Sequence, residues 1–253
     1  MMSAPSVPGA LPENKRQIRR RIAVVVAGGK GLRMQSDVKK QYMILDGVPV
    51  LVRTLFVFDA HPRVDDMVLV VPESDLAFCR DKLLSAYDFA SPIHVIPGGI
   101  TRQDSVRNGL QQAADLVDDE TSSVVLVHDG VRPFVPDVLI DTCLDAVETA
   151  GGCIPVLQVS DTVKESNDGS TIDRTLDRSR LYRAQTPQVF GLDTILTAFA
   201  NAEETGFSGT DEASILEHAG IPVRMVPGTR FNIKLTTPED LDLASYLLKQ
   251  SSS

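Results

Sequence analysis

Eight consecutive residues, Ala27-Gly28-Gly29-Lys30-Gly31-Leu32-Arg33-Met34, combine three glycines with two cations directly after an apolar run at 22–27. Glycines let a backbone approach a ligand closely and turn its amides toward it, an arrangement that suits phosphate oxygens. Lys30, Arg33, Lys39 and Lys40 fall within eleven residues and are opposed there by Asp37. The segment is a candidate phosphate loop. It departs from the dinucleotide fingerprint, because Met34 stands where Gly or Ala is needed. It also lacks the Gly-Lys-Ser/Thr ending of a nucleoside-triphosphatase loop.

Cations without an obvious base suit one kind of reaction. When a phosphate monoester attacks the α-phosphorus of a nucleoside triphosphate, the nucleophile already carries close to two negative charges at neutral pH, so no general base is required. The barrier is repulsion between anions. Catalysis then rests on placing Lys, Arg and a magnesium ion where charge accumulates, and on aligning the attacking and leaving oxygens.

The rest of the chain makes such a cluster stand out. Its 253 residues carry 25 Lys and Arg against 34 Asp and Glu, a net charge of −9. Residues 1–21 hold Lys15, Arg16, Arg19, Arg20 and Arg21 against Glu13, a local +4 that leaves −13 for the remainder. A body of that charge repels nucleic acid, which needs a broad basic face. No apolar run approaches the roughly 18 residues of a membrane span, so no membrane partner is expected. Cys79, Cys143 and Cys153 are odd in number and far apart, which suggests neither a disulfide framework nor a zinc site and points to a reducing, cytoplasmic compartment. The basic stretch 1–21 reads as a disordered tail, because Gly-Gly-Lys follows the apolar residues where a signal peptide would need a longer run and a cleavage site.

Short apolar runs alternate with helical patterns from Ile22 onward. The strand candidates 22–27, 66–71, 93–96, 123–128 and 153–159 are rich in Val and Ile and apolar on both faces, as strands of a covered, mostly parallel sheet are. Between them, 50–59, 74–86, 101–117 and 137–150 read as helices, with Thr101 and Asp104 forming a capping-box signature. The polar stretch 160–183, with its Asn167-Asp168-Gly169-Ser170 turn signal, reads as a hairpin-like excursion. Helical patterns return at 192–203 and 211–219, a strand follows at 223–226, and a last helix starts with Thr237 as N-cap and Pro238 in first position. The whole predicts an α/β open sheet with helices on both faces, one domain over 22–249 with an arm at about 158–183. His61, His94, His128 and His218 lack partners at ligand spacing and read as structural, and the acidic run 115–120 reads as a solvated helix end.

The phosphate-loop residues together with Lys40-Gln41-Tyr42, Gly98-Gly99 with Arg102 and Asp104-Ser105-Val106, Val127-His128-Asp129 with Arg132-Pro133, Asp161-Thr162-Val163-Lys164, Gln185-Thr186-Pro187-Gln188, Thr210-Asp211-Glu212-Ala213 and Asn232-Ile233-Lys234 carry a resemblance. In that order they resemble the 2-C-methyl-D-erythritol 4-phosphate cytidylyltransferases over nearly the whole chain. The resemblance implies a Rossmann-like nucleotidyltransferase fold with a protruding dimerisation arm, CTP and Mg2+ or another divalent cation, and a polyol phosphate acceptor in non-mevalonate isoprenoid biosynthesis. By matching positions it makes Arg33 and Lys40 the groups that stabilise the α-phosphate transition state, with Ala27, Gly28, Gly29 and Gly31 around the triphosphate. Gly99 and Ser105 would lie against cytosine and ribose. Asp129 would face metal and acceptor, and Arg132 would support that pocket. Arg178 and Lys234 would position the acceptor phosphate, Lys234 from its own chain, with Thr186 and Thr210 adding hydroxyl contacts. The arm would exchange across a homodimer, so that Thr162 and Arg178 complete the partner's acceptor site.

Two positions depart from the family pattern: Lys39 stands where Pro often precedes the catalytic Lys, and Ile100 where an acid commonly follows Gly-Gly. A ribitol 5-phosphate cytidylyltransferase shares most of these blocks, but Thr210-Asp211-Glu212-Ala213-Ser214 looks more like the methylerythritol group. A glycosyltransferase would call for an Asp-x-Asp pair after a central strand, whereas Gly130 and Val131 follow Asp129. A catalytically dead nucleotide-binding regulator should have lost Arg33, Lys40 or Lys234, and all three are present. With the chain ending at Ser253, the single-function form is expected rather than a fusion to a later enzyme of the pathway.

Overall fold

A strand that is apolar on both sides sends successive side chains in opposite directions and needs a helical layer above and below. The computed structural model, which describes residues 20–28, 39–118 and 122–251, shows this arrangement. In β1 (Arg20–Val26), Ile22 and Val24 pack on one side, and Ala23 and Val25 on the other. The other strands of its sheet are β2 (Asp66–Val71), β3 (Ile93–Pro97), β4 (Ser123–Asp129), β5 (Gly152–Gln158), β6 (Tyr182–Ala184), β7 (Gln188–Gly191) and β8 (Val223–Pro227). Parallel pairing joins β4 to β1, β1 to β2, β2 to β3 and β8 to β5. Antiparallel β7 bridges β4 and β5, and β6 pairs with the far end of β5.

Helices α1 (Val50–Asp59) and α3 (Asp137–Val147) cover one face, where Leu55, Phe58, Ile140 and Leu144 meet Leu69 and Leu126. Helices α2 (Arg102–Asp115), α4 (Leu192–Thr205) and α5 (Glu212–His218) cover the other, where Leu110, Ile195 and Leu216 meet Val24 and Val125. A third, smaller cluster joins Leu45 and Val50 to Leu235 and to Ala244 of α6 (Pro238–Ser251). The capping boxes explain where two helices begin. Thr101 and Asp104 cap each other reciprocally at α2, and Asp211 and Ser214 do so at α5. At α6 the Asp240 carboxylate takes the backbone N–H of Thr236 and Thr237, at 2.7 and 2.9 Å.

Three expectations are corrected. The tail assigned to 1–21 ends sooner, because Arg20 and Arg21 belong to β1 and Arg20 pairs with the buried Asp66 at 2.6 Å. The expected helix at 74–86 is a succession of short turns of different pitch. Asp75, which could cap a helix there, gives its carboxylate to Lys39, Tyr42 and Ser74 instead. The polar excursion ends before 183, since Tyr182 returns to the sheet opposite Gln158. Within the excursion, Lys164–Glu165 pairs with Arg174–Thr175 across a turn in which Asp168 Oδ1 accepts from the Ser170 and Thr171 amides. The rest of 1–21, and with it the disorder expected there, lies outside the described residues.

Candidate active site

In an open parallel sheet the loops after the carboxyl ends of the strands border a crevice. Register brings those ends together here: Val26 lies opposite both Val70 and Asp129, and Val71 opposite Pro97. A cleft of about 330 Å3 opens above them, within the range of small-molecule sites. Ala27 and Gly28 extend β1 into it, Gly99 to Arg102 form its wall after β3, and Lys40, Asp129 and Lys234 reach it from three further segments. The wall is fixed by sterics. A Cβ on Gly99 would stand 2.2 Å from that of Asp104, whereas one on Gly28 would find nothing among the described residues closer than Ser105 Oγ at 3.8 Å. Ser105 Oγ accepts from the Gly99 amide at 3.1 Å and donates to the Thr101 carbonyl at 2.9 Å, so this hydroxyl shapes the loop it borders.

Asp129 is the electrostatic centre. Lys234 Nζ and Arg132 Nε each lie 3.0 Å from its Oδ2, and Arg102 lies 3.9 Å from Oδ1. Burial alone would raise this carboxyl, but Lys234, Arg132 and Arg102 outweigh it and hold Asp129 ionised well below the usual carboxylate range. Arg102 is itself gripped by the buried Glu212, through two bonds of 2.5 and 3.0 Å. Burial pushes the Glu212 carboxyl up, and Arg102 offsets only part of that.

Behind Asp129 lies a fully buried relay. His128 Nε2 is 3.0 Å from the Arg132 carbonyl, which can only accept, so that nitrogen carries the proton and Nδ1 accepts from the Thr186 hydroxyl at 3.0 Å. The same Thr186 oxygen accepts from the Asp129 amide at 3.2 Å. Burial brings His128 down to about 4, so it is neutral at pH 7. Asn232 closes the base of the site: its side-chain amide donates to the Thr186 carbonyl at 2.7 Å, and its own carbonyl accepts from Arg132 at 2.8 Å and from Gln185 at 3.1 Å.

A model of the 2-C-methyl-D-erythritol 4-phosphate cytidylyltransferase family matches residues 21–250. The chain belongs to that family. The cytidylyltransferase is 44% identical to the one of Syntrophus aciditrophicus over 90% of this chain and 96% of that protein. It is 43% identical to a bifunctional enzyme of Desulforudis audaxviator, of which it covers 56%. Among solved structures it resembles 4-diphosphocytidyl-2C-methyl-D-erythritol synthase from Anaerococcus prevotii, with a TM-score of 0.77, 30% identity and coverage of 94% of this chain and all of that one.

Of the residues singled out from the sequence of this cytidylyltransferase, the cleft gathers Ala27, Gly28, Lys40, Gly99, Ser105, Asp129 and Lys234. Arg132 and Thr186 stand just behind Asp129. Thr210 is exposed at the start of the α5 cap, its amide on Ser214 Oγ. Thr162 and Arg178 are exposed in the excursion and do not border the cleft of their own chain, and Arg178 donates to the Ser160 carbonyl. Gly29, Gly31 and Arg33 lie outside the described residues.

Sequence reasoning gave no role to Arg102, Glu212 or Gln41, and read His128 as structural. One signal was available. Arg102 is the first residue of α2, where the helix dipole disfavours a cation, so something else must hold it there. Among the described residues no cluster of three metal-ligating side chains is present. A single ionised carboxylate in a cleft lined by cations nevertheless fits magnesium, which usually takes one or two carboxylates and completes its shell with water and substrate phosphates.

Proposed function

We propose that this cleft transfers CMP from CTP to 2-C-methyl-D-erythritol 4-phosphate, releasing pyrophosphate. The observation that carries the reading is the convergence of Lys40, Arg102, Lys234 and ionised Asp129 on one cleft at the carboxyl edge of the sheet. Ala27 and Gly28, continued by Gly29 and Gly31, offer close backbone approach to the triphosphate. Arg33 and Lys40 stabilise the charge that gathers at the α-phosphate. Gly99 and Ser105 lie on the side that takes cytosine and ribose.

Asp129 would hold a divalent cation, whose charge, when bound, would offset that of the phosphates. Arg132 keeps Asp129 aimed at the cleft. Lys234 rests 3.0 Å from the same carboxylate and stands ready for the acceptor phosphate. Thr186 supports Asp129 from behind. No residue acts as base: the acceptor arrives as a near-dianion, and His128 has both ring nitrogens engaged.

Thr162 and Arg178, exposed and outside the lining of their own cleft, fit a homodimer in which the arm of one chain completes the acceptor site of the other, with Thr210 at its rim. Three buried thiols without a disulfide support a reducing, cytoplasmic setting. Among the described residues no helix is long and apolar enough to cross a membrane. Pyrophosphate release from CTP and Mg2+, followed with methylerythritol phosphate or with ribitol 5-phosphate, tests the acceptor. Faster release with ribitol 5-phosphate would reverse the assignment.

A further inference from the structure

We propose that Asp75 is a positioning residue for Lys40, acting through Lys39 and Tyr42; the inference rests on the role given to Lys40 above. Lys40 opens a single helical turn, Lys40–Tyr42, whose local backbone bonds are Tyr42 N to Lys39 O at 2.9 Å and Met43 N to Lys40 O at 3.3 Å. One turn of tight pitch does not hold its own shape in water, so its place must be fixed from outside.

One outside anchor is a carboxylate that meets the turn at both ends. Lys39 Nζ lies 2.6 and 2.8 Å from the two oxygens of Asp75, and Tyr42 donates its hydroxyl to Oδ2 at 2.8 Å. The residue before Lys40 and the residue two after it therefore end on the same group, from a segment more than thirty positions away. Asp75 is itself held, being largely buried and accepting from Ser74 Oγ at 3.0 Å. Burial would raise its carboxyl, yet Lys39, Tyr42 and Ser74 keep it below its ordinary value.

Tyr42 is further fixed by Phe78, edge-on at 5.1 Å, and by Cys79 Sγ at 3.3 Å. Between them, Gln41 donates to the Ala27 carbonyl at 2.9 Å and ties the same turn to the start of the glycine loop. Lys39 has φ −59° and ψ 136°, an extended entry that sets the direction in which Lys40 leaves. Asp75 does not border the cleft, so it reaches the reaction through Lys40. A cation displaced by about 1 Å costs up to roughly a hundredfold in rate.

The test is steady-state pyrophosphate release by the full chain with CTP, Mg2+ and methylerythritol phosphate. Asp75→Asn and Lys39→Met should each lower kcat by about tenfold or more, while KM for CTP stays within about threefold. Lys39→Arg should keep most of the rate, and Tyr42→Phe, which removes one bond and spares the fold, should fall in between. In a Lys40→Ala background Asp75→Asn should have no further effect on kcat, because the group it positions is gone. Normal kcat in Asp75→Asn, or losses that multiply in the Lys40→Ala background, overturns the proposal and leaves the role of Lys40 standing. Full turnover in Lys40→Ala itself overturns both.

Discussion

Replacing Thr186 by Val keeps the side-chain shape and removes one oxygen. That oxygen has two buried partners, His128 Nδ1 at 3.0 Å and the Asp129 amide at 3.2 Å. Leaving a buried polar group unpaired costs about 1–3 kcal/mol, so two of them should cost about 2–4 kcal/mol after partial relaxation. Urea unfolding at pH 7.5 should report that loss as a lower midpoint with unchanged slope. Thr186→Ser, which restores the oxygen, should recover most of it. Activity separates this support from direct contact with substrate. As a support for Asp129, Thr186→Val should lower kcat with KM for the acceptor nearly unchanged. Wild-type stability combined with a raised acceptor KM would place the hydroxyl on the substrate and refute the reasoning.

His128 gives a pH test of the same relay. Its ordinary value of 6.5 falls to about 4 in the fold, so below pH 6.5 the unfolded chain takes up a proton that the native one refuses. The stability is present above pH 6.5 and drains away as pH falls toward 4. Between pH 7.5 and 5, urea unfolding should show wild type losing about 2 kcal/mol more than His128→Asn; equal losses would contradict the buried neutral ring. Gly28→Ala should fold normally and raise KM for CTP, since the space its Cβ enters is the cleft, whereas Gly99→Ala should also lower the unfolding midpoint because its Cβ would meet Asp104 at 2.2 Å. Identical midpoints for the two variants would count against that contrast. Without a general base, kcat should stay flat from about pH 7 to 9 and fall only as the acceptor phosphate protonates near pH 6; a basic limb near pH 7 would reveal a titrating catalytic group.

What the sequence revealed and what it concealed divide along physical lines. The strands ending at Val26, Val71 and Asp129 were legible because each is apolar on both faces, and the α2 and α5 starts because their caps are local. β6 and β7 escaped notice because they are three and four residues long, separated by Gln185-Thr186-Pro187. The region 74–86 was misread as one helix because the group that breaks the pattern, Asp75, answers to Lys39 and Tyr42. The site divides the same way. Lys40, Asp129 and Lys234 stand in motifs that can be read in place, whereas Arg102 and Glu212 are 110 positions apart and acquire meaning only as a pair. His128 was read as structural, and its link through Thr186 to Asp129 depends on a tertiary contact that no local spacing announces.

The central claim is that cations converging on Asp129 carry the transfer. The most direct measurement is pyrophosphate turnover by Lys234→Ala at saturating CTP and acceptor, with its urea midpoint taken alongside. A fall of at least about tenfold, the effect of 1.4 kcal/mol on a barrier, with the midpoint little changed is the result the account predicts. Turnover equal to wild type would contradict it.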